Sequence, residues 1–461
     1  MQQPKRQVIE AIKPIFRFIK KEINSGIVLL IVSMLAMIVA NSQWAHTYFE
    51  LFEETKISVD FQIWSLKKPL HYWINDGLMA IFFFMIGLEV KREVMLGELS
   101  TFSKAIIPII AAIGGMVVPA LVYYLINMGN PAYAAGWAIP MATDIAFALG
   151  ILALLGSKAP TELKVFLTSL AIVDDIGAVL TIAVFYTDDL NFTYLFIALG
   201  VWALLMGLNF AKVRVTWIYI LVGILGVWYP LLLSGVHATI AGVLVAITIP
   251  LWRKVESQDF IAKVKDALQH FGSHVGKENS LKLTSEQYDA IEDIKEYTHE
   301  VSSPHQRLEH NIHDFTLYFI MPIFAFANTG IQLSSVSIGD LFNTPLSMGI
   351  FYGLVLGKVL GIAGFIWIAD RLNLIDLPKA LSWQHIIGGG FLAGIGFTMS
   401  IFITELAFHG DELVILSKVA ILSGSILAGA CGFFLIKTAR DPEEFLEEEE
   451  ETVGEEEASL V

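Results

Sequence analysis

Long apolar runs recur along this chain, each followed by a short polar break, and no other feature restricts the possible folds as much. A helix needs about 20 mainly apolar residues to cross a bilayer. Scanned with a spanning-length window, roughly twelve segments meet that requirement. A membrane β-barrel would show short alternating segments instead. The expected fold class is therefore an all-α polytopic membrane protein. The mean hydropathy is +0.64 and 16% of the residues are charged. A soluble chain of 461 residues would need more charge than that to cover its surface.

The formal net charge of -15 belongs mostly to one end. After Arg440 the sequence reads DPEEFLEEEEETVGEEEASLV, with ten Glu, one Asp and no base. Taking those 11 charges away from -15 leaves -4. A block of like charges is expected to be a solvated, disordered tail. Cys431 is the single cysteine and lies in the last apolar run, so no intramolecular disulfide can form and no redox or metal motif is present. Residues 1-22 are basic and mildly amphipathic, and the run that follows carries no cleavage pattern of a secretory signal.

Lysine and arginine alternate from loop to loop. Lys5, Arg6, Lys13, Arg17, Lys20 and Lys21 precede the first span; Lys91, Arg92 and Lys104, then Lys158 and Lys164, then Lys212 and Arg214, then Arg371 and Lys379, and finally Lys437 and Arg440 mark every second loop. Of the intervening loops, 41-70 carries Lys56, Lys67 and Lys68 beside Glu50, Glu53, Glu54 and Asp60, and the others are bare or acidic, as at Asp188 and Asp189 and at His409, Asp411 and Glu412; the long loop 253-310 is rich in both signs. Basic loops face the cytoplasm. Both termini are thus expected in the cytoplasm, and the number of spans is even. The segmentation that follows is a basic N-terminal segment at 1-22 and a first helix set at 23-252, including an outer loop at 41-70. A cytoplasmic polar loop at 253-312, a second helix set at 313-438 and an acidic tail at 439-461 complete it.

Two segments depart from plain spans. Residues 57-63 are apolar at every second position, a strand pattern placed on the outer face. In the polar loop, Thr284 and Gln287 have capping-box spacing. Ile291, Ile294, Tyr297 and Val301 then repeat at helical spacing until Pro304. These patches read as surface helices.

Charge at membrane depth is the most informative feature for function. An Asp or Lys at a span centre costs roughly 2.5 to 3.5 kcal/mol on the insertion scale, and such residues mark ion or proton pathways. Asp174 and Asp175 lie in FLTSLAIVDDIGAVLTIAVFY, with long apolar flanks on both sides. Their oxygens suit a hard monovalent cation, and protons can occupy the same oxygens when the cation is absent. Competition for one site couples two fluxes if the site faces one side at a time. Asp144 lies in GWAIPMATDIAFALGILALLG, a segment that Pro140 and Thr143 interrupt, and Lys358 lies deep in GLVLGKVLGIAGFIWIA. A second interrupted segment, GGGFLAGIGFTMSIFITELAF, is dense in glycine around Gly396 and Thr398. Paired interrupted segments point to a transport site built from broken helices. Asp144 would then meet facing helix N-termini and Lys358 facing C-termini.

At this point the motifs resemble one family. TDIAFALG (Thr143 to Gly150), AIVDDIGA (Ala171 to Ala178), SGVHAT (Ser234 to Thr239), RLEH (Arg307 to His310), FAFANTG (Phe324 to Gly330), GIGFTMSIFI (Gly394 to Ile403) and GLEVKRE (Gly87 to Glu93) are similar to the NhaA-type Na⁺/H⁺ antiporters. The likeness covers about residues 24-438. It implies about twelve transmembrane helices, with inverted repeats whose two broken helices cross at Thr143–Asp144 and Gly396–Thr398. It implies that Asp174 and Asp175 bind Na⁺ and protons, with Lys358 the partner of Asp174. The outer strand resembles the family's β-hairpin, which joins two protomers, so a homodimer is expected. A pH-sensing cluster maps to Glu89, Arg92, Glu93, Glu309, His310 and His313. Histidine suits that role because its ordinary pKa lies near physiological pH.

The activity implied is export of Na⁺ (or Li⁺) in exchange for protons by alternating access in the bacterial inner membrane. It would be electrogenic, activated at alkaline pH, and would serve pH and sodium homeostasis. No cofactor, nucleic acid or catalytic residue is implied; the partners are the ions and the lipid bilayer. The long loop before Arg307 and the acidic tail depart from the family pattern. Two other readings are a symporter for an organic anion on the same fold and a non-transporting sensor that uses its acidic tail. An intramembrane aspartyl protease would need a GxGD motif, which neither Asp144 nor Asp175 has.

Overall fold

The computed structural model describes residues 25–60, 65–187, 190–273, 283–332, 339, 343–378 and 381–439. The basic segment 1-22, residues 61-63 of the strand pattern, Lys379 and nearly all of the acidic tail lie outside them. In chain order the main elements are α1 (Ser25–Ala40), α2 (Ala45–Glu54), β1 (Lys56–Asp60), β2 (Ser65–Pro69), α3 (Leu70–Leu96), α4 (Phe102–Ile126), a 3-10 segment Pro131–Met141, α5 (Ile145–Leu155), α6 (Thr161–Phe185), α7 (Phe192–Phe210), α8 (Thr216–Leu233) and α9 (Ile240–Thr248). Then follow α10 (Ser257–Ser273), α11 (Ser285–Val301), α12 (Pro304–Phe315), α13 (Met321–Asn328), α14 (Pro345–Arg371), α15 (Trp383–Ala393), α16 (Phe397–Ala407) and α17 (Asp411–Lys437).

Among the described residues, seven helices are long and apolar enough to cross a bilayer, and up to ten spans result if each of three bent pairs counts as one. The expectation of twelve is not met on these criteria, for two physical reasons. The nine residues of α9 rise only about 14 Å at 1.5 Å per residue. The eight-residue α13 is short, and the helix before it, α12, is polar: PHQRLEHNIHDF. The expected outer strand is present as β1, which pairs antiparallel with β2 from Lys56↔Pro69 to Asp60↔Ser65.

The helices form two compact units: one takes in Met1–Phe82, Glu89–Asp188 and Thr316–Val461, the other Phe83–Leu88 and Asp189–Phe315. The core of the first contains α4, α6, α14 and the two broken segments. The backbones of α4 and α14 come together at Gly114 and Gly361, where a side-chain carbon on either glycine would run into the other's carbonyl. Small residues allow that approach between spans. Directly before Lys358, α14 contains a π-helical turn, Gly353–Gly357. Such turns cluster at functional positions.

The second unit packs α7, α8 and α9 around Leu205, Tyr219, Val227 and Ala246, all buried, with Leu88 in the same cluster. The helix hairpin α10–α11 belongs here. The box read from the sequence is formed: Thr284 accepts from the Gln287 amide at 3.3 Å and the Gln287 side chain accepts from the Thr284 amide at 3.2 Å. Three carbonyls at the far end of α11 find cations. Arg214 donates to Glu300 O at 3.3 Å and to Ser302 O at 2.9 Å, and Arg307 donates to His299 O at 2.6 Å. Cations at a helix C-terminus satisfy its orphan carbonyls and its dipole. The Glu300 carboxylate takes hydrogen bonds from Lys254 and Lys263. The bond from Lys254, more than any other neighbour, holds its pKa below the usual Glu value.

Candidate ion-binding site

The two interrupted segments are broken in space as well as in sequence. Pro131–Met141 and α5 meet at 40°, and α15 and α16 at 43°. The breaks are tied to each other. Asp144 N donates to Ile395 O at 2.7 Å, the Thr143 hydroxyl to Ala393 O at 2.8 Å, and the Ser400 hydroxyl to Ile139 O at 2.7 Å. A break strips backbone groups of their helical partners, and in a membrane these must be re-satisfied within the protein. Here each break supplies the other.

Asp144 is 1% exposed and serves two helix starts at once. Its Oδ1 accepts from the Phe147 amide at 3.1 Å as the N-cap of α5. Its Oδ2 accepts from the Thr398 amide at 3.1 Å and from the Thr398 hydroxyl. The N-cap position of α16 is Gly396, which has no side chain to cap with, so Asp144 caps that helix from another segment. One carboxylate thus faces two positive dipole ends, as expected from the sequence. Lys358 is fully buried and donates to Thr143 Oγ1 at 3.0 Å and to Asp174 Oδ2 at 2.8 Å. The expectation that Lys358 meets helix C-termini is not matched by its hydrogen bonds, which go to side chains. One goes to the Thr143 hydroxyl, which in turn donates to Ala393 at the end of α15.

Asp174 and Asp175 sit in mid-helix, with 13 residues of α6 before them and 10 after, or about 20 and 15 Å of helix. They are 1% and 3% exposed. Asp174 Oδ1 has no hydrogen-bond partner among the described residues. No hydrogen bond to the Asp175 carboxylate is present among the described residues either. Buried carboxylate oxygens are ordinarily hydrogen-bonded. Three oxygens left open beside one lysine form a place where a small cation or protons can bind.

The six residues of the expected pH-sensing cluster fall in both units. In the first unit, Arg92 donates to Glu93 Oε1 at 2.9 Å and Glu93 Oε2 accepts from the Glu98 amide at 3.0 Å; Glu89 precedes them on α3. In the second, Glu309 is buried, His310 is exposed and His313 is half-buried on α12. Sequence reasoning missed His305, which is fully buried there. Its Nε2 lies 2.9 Å from Leu88 O and its Nδ1 3.8 Å from Glu309 Oε2. The signal was available, since His305 stands four residues before Glu309 on one helix face.

A helical bundle with two crossed breaks, a carboxylate on the paired helix starts and two further buried carboxylates beside a lysine is the arrangement expected of a membrane ion transporter. The family description "Na+/H+ antiporter 1" matches residues 16–436. The chain is 47% identical over 422 residues to a protein of Wolinella succinogenes named Na(+)/H(+) antiporter NhaA, covering 92% of each chain. A protein of the same name from Oleidesulfovibrio alaskensis is 45% identical over 433 residues, 93% of this chain and 95% of that one. The Na(+)/H(+) antiporter NhaA 1 of Saccharophagus degradans is 43% identical over 421 residues, 91% and 90%. The chain belongs to the Na⁺/H⁺ antiporter 1 family, among multi-pass transporters of the bacterial inner membrane.

Proposed function

We propose that this protein exports Na⁺, or Li⁺, in exchange for protons at Asp174 and Asp175. One observation carries the reading: two adjacent, buried carboxylates of which one is half-held by Lys358 and the rest is open. Protons and a dehydrated cation compete for the same oxygens. In the inward-facing state the pair gives up protons and takes Na⁺; in the outward-facing state the reverse happens, driven by the proton gradient. Lys358 moves between pairing with Asp174 and releasing it as the cation arrives. Two carboxylates accept two protons but one Na⁺, so net charge moves in each cycle. Acid pH fills the oxygens with protons and stops exchange, which gives activation at alkaline pH and a role in pH and sodium homeostasis.

In this reading Thr143, Asp144, Gly396 and Thr398 make the hinge at which the site changes face, within inverted repeats. Glu89, Arg92, Glu93, Glu309, His310 and His313 sense pH at the cytoplasmic mouth. Both termini are cytoplasmic, and β1–β2 joins two protomers. A count of twelve spans takes in α9 and α13 as short ones. The test is proton movement in everted vesicles with an acidified lumen. Adding NaCl is expected to alkalinise the lumen at pH 8 and to do so far less at pH 6. No sodium response anywhere between these values would contradict antiport.

A further inference from the structure

The first unit holds a second lysine–carboxylate pair that the exchange site does not use. Lys418 Nζ lies 2.7 Å from Glu405 Oε1, with side chains 11% and 18% exposed. The pair lines a cavity of about 780 Å³ together with Tyr48, Glu50, His71 and His409. His71 is fixed in it by Asn328, whose Oδ1 lies 2.9 Å from the ring Nε2. Glu53 and Glu54 also border the space, and clustered negative charge on a cleft raises the local concentration of cations.

The helix α16 links this cavity to the crossing. Thr398, in its first turn, binds Asp144. Glu405 stands seven residues later, two turns and about 10 Å along the same face. It lies in the last turn of α16, where the helix dipole disfavours an anion. A cation is therefore needed beside it, and Lys418 supplies one. A metal cation arriving at Glu405 would relieve Lys418 of that place, as protonation of the carboxylate would. A single carboxylate holds a monovalent ion weakly, because tight binding of hard cations takes several oxygens. Weak binding suits passage.

We propose that Glu405 is a transit site for Na⁺ on the outer side of the exchange site, with Lys418 as a tethered cation that the passing ion displaces. This rests on the antiport reading and on the loop charges that put residues 41-70 and 409-412 outside. The test compares the apparent Km for Na⁺ in right-side-out and everted vesicles, which present the outer and inner faces. Glu405→Gln is expected to raise the outer-face Km about fivefold more than the inner-face Km, a difference of about 1 kcal/mol. Glu405→Asp should restore it. Lys418→Met should act in the opposite direction, lowering the outer-face Km, because the competitor is gone. A role confined to packing would shift both faces alike and would not reverse sign between the two variants; either result overturns the proposal. If Glu405→Gln does not reach the membrane, Lys418→Met and Glu405→Asp still decide it. A wild type silent from both faces would overturn the antiport reading itself, and the transit site with it.

Discussion

At the scale of single residues, the structure gives most of its information through what a buried polar atom has or lacks. Asp144 has a full set of donors: two amides and one hydroxyl on its two oxygens. Asparagine there keeps one acceptor and replaces the other with a donor, so a buried N–H group is left facing a donor. A buried group left unsatisfied costs about 1–3 kcal/mol. Asp144→Asn is therefore expected to lower the thermal unfolding midpoint of the purified protein in detergent, and an unchanged midpoint would contradict the capping role. Asp174 and Asp175 show the opposite pattern. Both residues are buried, and Asp174 Oδ1 has no partner among the described residues, which is a poor arrangement for stability and a good one for binding.

At the scale of elements, the two broken segments repair each other, while the hairpin α10–α11 is held at one end by charge. Glu300 makes that attachment titratable. Its pKa in the folded protein lies below its ordinary value near 4.5, chiefly through the hydrogen bond from Lys254. A carboxylate with a depressed pKa contributes stability above its unfolded pKa and loses it as pH falls through the folded one. Glu300→Gln should thus reduce the hydrogen-exchange protection of α11 amides at pH 7, and the difference from wild type should close below the ordinary Glu range. Equal protection at pH 7 would show that the attachment does not depend on this charge.

Local patterns of this kind were legible in the sequence. The capping box of Thr284 and Gln287, the strand pattern at 57-63, of which β1 covers the described part, and the interruptions near Pro140 and Gly396 all depend on residues within a few positions of each other. Other features were not. Lys418 and Glu405 are separated by a helix end and a turn, and neither pattern nor spacing pairs them. Which donors fill Asp144 depends on a segment about 250 positions away. The short α9 and α13 read as spans from their apolar flanks, because hydropathy does not register where a helix begins.

At the scale of the whole molecule, the proposal turns on whether exchange moves charge. If two protons are exchanged for one Na⁺, one elementary charge crosses per cycle. Each charge carries about 2.3 kcal/mol per 100 mV of membrane potential. In reconstituted vesicles a potasssium diffusion potential should therefore change the exchange rate, accelerating it in one polarity and slowing it in the other. A rate indifferent to the potential would leave antiport standing but exclude unequal charge. Family membership fixes the general kind of protein over residues 16–436; the site's residue roles rest on the geometry around Lys358, Asp174 and Asp175.

The most direct measurement addresses competition itself. Purified protein would be placed in weakly buffered detergent solution at the pH of half-maximal exchange, and protons released on adding NaCl would be followed with a dye. Wild type is expected to release protons in a saturable manner as Na⁺ displaces them, with KCl or choline chloride as the salt control. Asp175→Asn should release none at the same Na⁺ concentrations while keeping its fold. Release that persists in the variant, or wild-type release that choline chloride reproduces, would contradict the claim that Na⁺ and protons share the Asp174–Asp175 oxygens.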